Sequence, residues 1–182
     1  MSNKEALRDF QLRLAGRLQA ARDQPREAGW LAVECAGLGL LLPLAQAGEI
    51  HALRQIAPVP HAKSWLSGVA NLRGQLHAVI DFAAFLQLRP AAAPAAETAV
   101  ERVSRQLVAL NPALRLNAAL LIDRLIGLRD TEQLTPLPDD SAAAAGRPAF
   151  ASQRWRDAQG GQWLALDLAA LALDPQFLDI VA

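Results

Sequence analysis

Tyrosine is missing from the 182 residues, and cysteine occurs once. The lone Cys35 cannot close an internal disulfide, and its apolar surroundings, Leu31-Ala32-Val33-Glu34-Cys35-Ala36, suit a reducing compartment, so a cytoplasmic location is expected. No activating base stands beside it, which makes a buried, inert thiol the expected state. Net charge is missing too: 18 basic and 18 acidic side chains cancel, leaving no overall field to draw in nucleic acid or an acidic membrane surface. The longest apolar run, Leu38 to Ala47, is broken by Pro43 and is far too short to cross a bilayer. The start of the chain carries Lys4, Glu5, Arg8 and Asp9 and is not expected to act as a signal peptide.

Catalytic signatures are equally scarce. His51, His61 and His77 have no metal-ligand spacing. Ser64, Ser67, Ser104, Ser141 and Ser152 stand in no GxSxG elbow, and neither a P-loop nor a GxGxxG fingerprint occurs. Asp139-Asp140 pairs two carboxylates beside an alanine-rich stretch, where solvation accounts for them. No enzyme chemistry, no metal and no cofactor is expected.

What the chain does contain is a sequence of short elements. Ser2-Asn3-Lys4-Glu5 has capping-box form, and Leu7, Phe10, Leu14 and Leu18 follow at helical spacing, predicting an amphipathic helix over about 3–22 whose apolar stripe packs on the main body. Asp23 to Gly29 reads as a linker, closing an N-terminal unit of 1–27. Strand-sized apolar runs come next: Trp30–Ala36, Gly39–Leu44, Ile50–Ile56 and Leu76–Phe82. Lys63–Leu66 reads as one helical turn, and Arg89–Thr98 as an Ala/Pro-rich loop separating two β lobes. In the second lobe Gln106–Leu110 turns at Asn111-Pro112 and returns through Leu116–Gly127. Leu134–Leu137 adds a short extended piece, Phe150–Trp155 and Gln162–Leu168 form a hairpin, and Asp174-Pro175 starts a short closing helix through Val181. Four tryptophans, Trp30, Trp65, Trp155 and Trp163, fall at element ends, and Trp65 is held open as an interface residue.

The most informative segment is Gly68-Val69-Ala70-Asn71-Leu72-Arg73-Gly74, followed by Gln75 to Phe82. Gly74 tolerates positive φ at no steric cost, so a turn carrying Asn71, Arg73 and Gly74 would display one guanidinium from a rigid loop. Arg73 has two readings of similar weight: a salt bridge to Asp81 or Glu49 that pins the turn, or a planar donor fork offered to a partner. Asp81 and Asp123 end apolar strands, where turn or cap roles suffice.

The glycine motif with its Val79-Ile80-Asp81-Phe82 strand strongly resembles the hallmark of CheW-like domains, the coupling proteins of bacterial chemosensory arrays. Ala47-Gly48-Glu49-Ile50 is similar to that family's V-x-E-I element, and Ala119 to Gly127 to its G-L-V-V-D-x-V-x-G/D strand. The resemblance covers about residues 28 to 174. The N-terminal helix, the Trp65–Asn71 run and the Phe177–Val181 ending look most like the variant adaptor of the type IV pilus, or twitching-motility, system. Ala78 stands where the family usually has proline, restoring a backbone donor, and Ala119 stands where a glycine is common.

The resemblance implies a mainly β fold: two five-stranded SH3-like β-barrels with an N-terminal and a short C-terminal helix. The CheW-like domain would span 28–182, with a first barrel over about 28–88 and a second over about 103–174. It implies a non-enzymatic adaptor coupling methyl-accepting chemoreceptors to the regulatory domain of a histidine kinase. The first barrel would meet the kinase, and the groove between barrels the receptor tip. Residue by residue, Gly68, Asn71, Arg73 and Gly74 match the motif whose arginine supports receptor coupling. Glu49 and Ile50 match the element near both partner surfaces, and Val108, Leu121 and Leu125 are candidates for the groove lining. A small-molecule sensing module, with its ligand in the groove between lobes, is the alternative from another class.

Overall fold

The structure is a computed structural model that describes residues 29–53, 55–90, 105–138 and 147–182. The helix expected over 3–22, most of the Ala/Pro-rich loop and Asp139-Asp140 lie outside the described residues.

Strands β1 (Trp30–Cys35) and β2 (Leu38–Pro43) form a hairpin. Its two-residue turn, Ala36-Gly37, has φ of 49° and 81°, the left-handed pair whose twist matches that of the strands. After β3 (Ala47–Ala52), a second hairpin follows from β4 (Leu66–Leu72) and β5 (Gln75–Asp81). Asp81 then caps α1 (Phe82–Phe85), its carboxylate accepting from the Ala84 N–H at 3.3 Å. Beyond it come β6 (Gln106–Leu110), a 3₁₀ turn at Pro112–Leu114, β7 (Ala118–Ile122) and β8 (Arg124–Arg129). The chain closes with β9 (Leu134–Pro136), β10 (Ala151–Asp157), β11 (Gln162–Leu166), α2 (Leu168–Leu171) and α3 (Pro175–Leu178).

These strands make a six-stranded sheet, β8-β1-β2-β11-β10-β9, and a five-stranded sheet, β3-β6-β7-β5-β4. Each contains one parallel pair, β2 with β11 and β5 with β7, among antiparallel ones. The mainly β class with two sheets agrees with expectation, but sheet membership does not follow a split between 28–88 and 103–174. The early strands β1 and β2 belong with the late ones, and β6 and β7 complete the sheet of β3 to β5. The Leu116–Gly127 stretch is likewise two strands, because the chain leaves the five-stranded sheet at Ile122 and enters the six-stranded one at Arg124. Lys63–Leu66 is a hydrogen-bonded turn, Leu66 N–H to Lys63 O at 2.9 Å, rather than helix, and Leu66 already pairs in β4. The closing helix stops at Leu178, after which the chain extends and pairs Val181 with Ala62. The helices α1 and α2 are each four residues long, too short to leave a period in the sequence.

Among the described residues, three cores hold these layers. The largest lies between the sheets and combines Leu31, Val33, Leu40 and Leu42 with Ile80, Val108, Leu120 and Ile122, closed by Phe82, Phe150, Leu168 and Phe177. A second lies on the other face of the five-stranded sheet, around Leu72, Val79, Leu107 and Leu121. The third fills the six-stranded sheet with Ala32, Leu41 and Ala165 under Trp30, Trp155 and Trp163. There Trp163 donates to Asp157 at 2.9 Å and Arg129 lies over its ring at 5.7 Å. The Trp163 N–H, followed by the Gly161 and Gln159 amides, holds the Asp157 carboxyl below its ordinary range against the opposing effect of burial.

Cys35 has no exposed surface and belongs to the core between the sheets. Burial first, and the charge of Asp123 second, push its thiol from 9.0 to about 12. The thiolate is the reactive form, so native Cys35 should alkylate at least a thousandfold more slowly at pH 8 than the same residue in urea-unfolded protein. Timed iodoacetamide labelling read by mass spectrometry checks this, and equal rates would contradict the buried neutral thiol.

Candidate functional site

The β4–β5 hairpin turns on Arg73 and Gly74, with φ of 50° and 88°. Asn71 Oδ1 accepts the Gly74 N–H at 2.7 Å and clamps the turn from inside. Holding a residue with a Cβ in this left-handed conformation costs about 1–2 kcal/mol, so Arg73 occupies its position against local preference. The turn is narrower than the full glycine motif: Gly68 to Leu72 are strand, and only Arg73-Gly74 reverse the chain.

The Arg73 side chain is 76% exposed, and its Nη1 donates to Glu49 Oε1 at 2.7 Å. The other Glu49 oxygen lies 3.5 Å from His51 Nε2. Glu49 belongs to β3, and β3 and β4 are the two outermost strands of the five-stranded sheet. A contact at 2.7 Å between β3 and the turn after β4 requires the sheet to curl until its edges meet. The register shift between Ala47 and Ile50 brings β3 round. Gly48 allows it, since a Cβ there would stand 2.9 Å from the carbonyl oxygens of Ala109 and Leu110. A cavity of about 390 Å³ opens under the ion pair, lined by Glu49, His51, Leu72, Arg73, His77 and Ala109 among others. Beside it a wider groove of about 640 Å³ runs between Gln55-Ala57 and the outer face of the hairpin at Val69, Asn71 and Leu76.

Of the two partners expected for Arg73, the structure selects Glu49. Ile50 lies next to that pair and is 41% exposed. Gly68 sits beneath the segment before β4, where Val69 and Ala57 exchange both backbone hydrogen bonds at 2.8 Å. The candidates Glu49, Ile50, Asn71, Arg73 and Gly74 thus gather at one end of the five-stranded sheet. The other three do not join them. Val108 and Leu121 are buried in different cores, on opposite faces of the sheet, so neither lines an open groove. Leu125 is half-buried in β8 of the other sheet, opposite Val33. Trp65 is half-buried against the core between the sheets, where it stacks on Phe177 at 6.3 Å and meets Phe85 edge-on at 5.2 Å.

Sequence reasoning passed over a second polar centre. Asp81 is 2% exposed and receives Arg89 Nη2 at 3.0 Å and Arg105 Nη2 at 3.2 Å. Asp123 takes the same two arginines at 3.1 and 3.3 Å and accepts the Ala36 N–H at 2.7 Å. Burial works to lower the Arg89 pKa, but the hydrogen bond and charge of Asp81, with those of Asp123, outweigh it and move it upward. This centre ties α1, the start of β6 and the β7–β8 crossing together, and nothing in local spacing announces it. Ala78 is resolved as well: its N–H donates to Asn117 O at 2.9 Å, so the donor gained in place of proline serves the parallel pairing of β5 with β7.

Among the described residues, no helix is long and apolar enough to cross a membrane. The family model for the CheW-like domain matches residues 29–176. Protein PilI of Pseudomonas aeruginosa is 28% identical over 174 residues, covering 92% of this chain and 88% of its own. The crystal structure of the scaffolding protein TtCheW from Thermoanaerobacter tengcongensis superposes with a TM-score of 0.63 over 86% of this chain and 94% of that one, at 15% identity.

Proposed function

The chain belongs to the CheW-like domain family, and on that premise we propose that it is a non-enzymatic adaptor linking methyl-accepting chemoreceptors to the regulatory domain of a histidine kinase. By its likeness to Protein PilI, it acts in the cytoplasm in a pathway that controls type IV pili and twitching motility. The observation that carries the reading is Arg73: exposed, conformationally costly, and steadied by Glu49 instead of being buried. An arginine kept in that state is stored for a partner, because an exposed ion pair contributes only about 0–1 kcal/mol to stability and does not by itself repay the strain of the turn. Ile50, next to Glu49 in β3, and Leu76, in β5 just after the turn, are 41% and 65% exposed and add apolar surface to this end of the sheet. Glu49, Ile50, Asn71, Arg73 and Gly74 form the docking surface in this reading, with Gly68 supporting it from below.

Binding of purified Arg73→Ala to the kinase regulatory domain and to a receptor-tip fragment tests this. An interface arginine of this type is worth about 2 kcal/mol, so affinity for at least one partner should fall about thirtyfold or more. The unfolding midpoint should stay near that of the wild type. Unchanged affinity for both partners would remove Arg73 from the surface, and failure of the wild type to bind either would overturn the adaptor reading itself.

A further inference from the structure

We propose that His51 sets how tightly Glu49 holds Arg73, so that protonation of its imidazole loosens the arginine and couples docking through Arg73 to pH. Its bearing on a partner rests on the adaptor reading, whereas the ion pair itself does not.

Glu49 and His51 stand two apart in β3, and both line the cavity of about 390 Å³ beneath the pair. They differ in freedom. The His51 side chain is 15% exposed and its residue pairs with Leu107 of β6, whereas the Glu49 and Arg73 side chains are 54% and 76% exposed. The imidazole is therefore the fixed member, and Glu49 stands between it and the arginine. Glu49 Oε2 lies 3.5 Å from His51 Nε2, while Oε1 accepts from Arg73 at 2.7 Å. The His51 contact is long for a hydrogen bond, so charge decides its strength.

An imidazole is the side chain whose charge ordinarily changes between about pH 5 and 8. The charged or titratable groups that line the cavity are Glu49 and His51 from β3, Arg73 from the turn and His77 from β5; β4 contributes Leu72, and β6 contributes Ala109 and Leu110. With both imidazoles neutral, one carboxylate and one guanidinium cancel. A proton on His51 gives Glu49 a second cation to satisfy and leaves the cluster positive. Glu49 then holds Arg73 less tightly, and the arginine attracts an acceptor on a partner more strongly. By linkage, a partner that draws Arg73 away from Glu49 favours the proton on His51 to the same degree. His77 is the lesser contributor, since its Nδ1 lies 3.2 Å from Gln75 O on its own strand.

Carbon-detected NMR of the full chain reads the pair without a partner. The Arg73 Cζ signal should move together with the His51 ring signals as pH falls from about 8 to about 5.5. His51→Gln should abolish that movement, and His77→Gln should leave it. Affinity for the kinase regulatory domain or the receptor-tip fragment should rise about threefold over the same interval, the scale of one exposed ion pair. His51→Gln and Arg73→Ala should show no such rise, and His51→Lys, a permanent cation, should keep the higher affinity at both ends. An Arg73 signal that stays still while His51 titrates, or that moves equally in His51→Gln, would overturn the proposal. So would a pH response of binding shared equally by the wild type and His51→Gln. Failure of the wild type to bind either partner at any pH would overturn the adaptor reading instead, and the Arg73 signal would still decide the coupling.

Discussion

Replacing Gly68 by alanine should destabilise the protein by about 4 kcal/mol, summing overpacking of about 1–3 kcal/mol and backbone strain of about 1–3 kcal/mol. Gly68 has φ of +138°, where a side chain is strained whatever the space. An added Cβ would also collide with the Ala57 carbonyl oxygen and stand 2.8 Å from Ile56 Cγ2. Neither neighbour can yield freely, because both backbone bonds between Ala57 and Val69 hold that segment on β4. Gly74, in the same motif, makes the control: its φ is +88°, but nothing lies within 4 Å of its would-be Cβ. Gly74→Ala should therefore cost only the strain, about 1–2 kcal/mol. Urea unfolding of both variants checks the contrast, and equal losses would mean that close packing of residues 56–57 does not govern Gly68.

Asp81→Ala should cost about 3–5 kcal/mol, the range for breaking a buried ion pair by removing one partner. Arg105 is 5% exposed and would keep Asp123 but lose Asp81, while α1 would lose its cap. Asp81→Asn retains an acceptor for the Ala84 N–H and should lose less, about 1 kcal/mol of the difference being the cap. Pairing Asp81→Ala with Arg89→Ala should give a loss well short of additive, since the two touch. Strict additivity would show that the cluster is not a unit. The alanine variant's loss should also persist at high salt, because a pair this deep is poorly screened.

The readable parts of the fold were those that a local pattern encodes. Glycine beside a polar residue marked the Arg73-Gly74 reversal, Asp174-Pro175 marked the start of α3, and Glu49 stood among the two partners foreseen for Arg73. What escaped was long-range pairing. The positions of Val108 and Leu121 were not legible because β6 and β7 are central strands covered on both faces, which makes their sequences continuously apolar and hides which side each residue serves. The Asp81–Arg89–Arg105–Asp123 centre escaped for a related reason. Its members come from four points of the chain, and charge beside an alanine-rich stretch looks like a solvated surface until the fold brings the four together.

The pairing of β2 with β11 bears on how the chain is made. Gly39 to Leu41 meet Trp163 to Ala165, so during synthesis one flank of the first hairpin waits for roughly 120 further residues, on the order of ten seconds at ordinary translation rates. Through that interval Leu40 and Leu41 sit on an uncovered strand edge, the kind of surface that recruits other chains. Newborn copies should therefore be at their most vulnerable just before the final thirty or so residues emerge, and a stop codon placed there should yield a product that needs chaperones or aggregates.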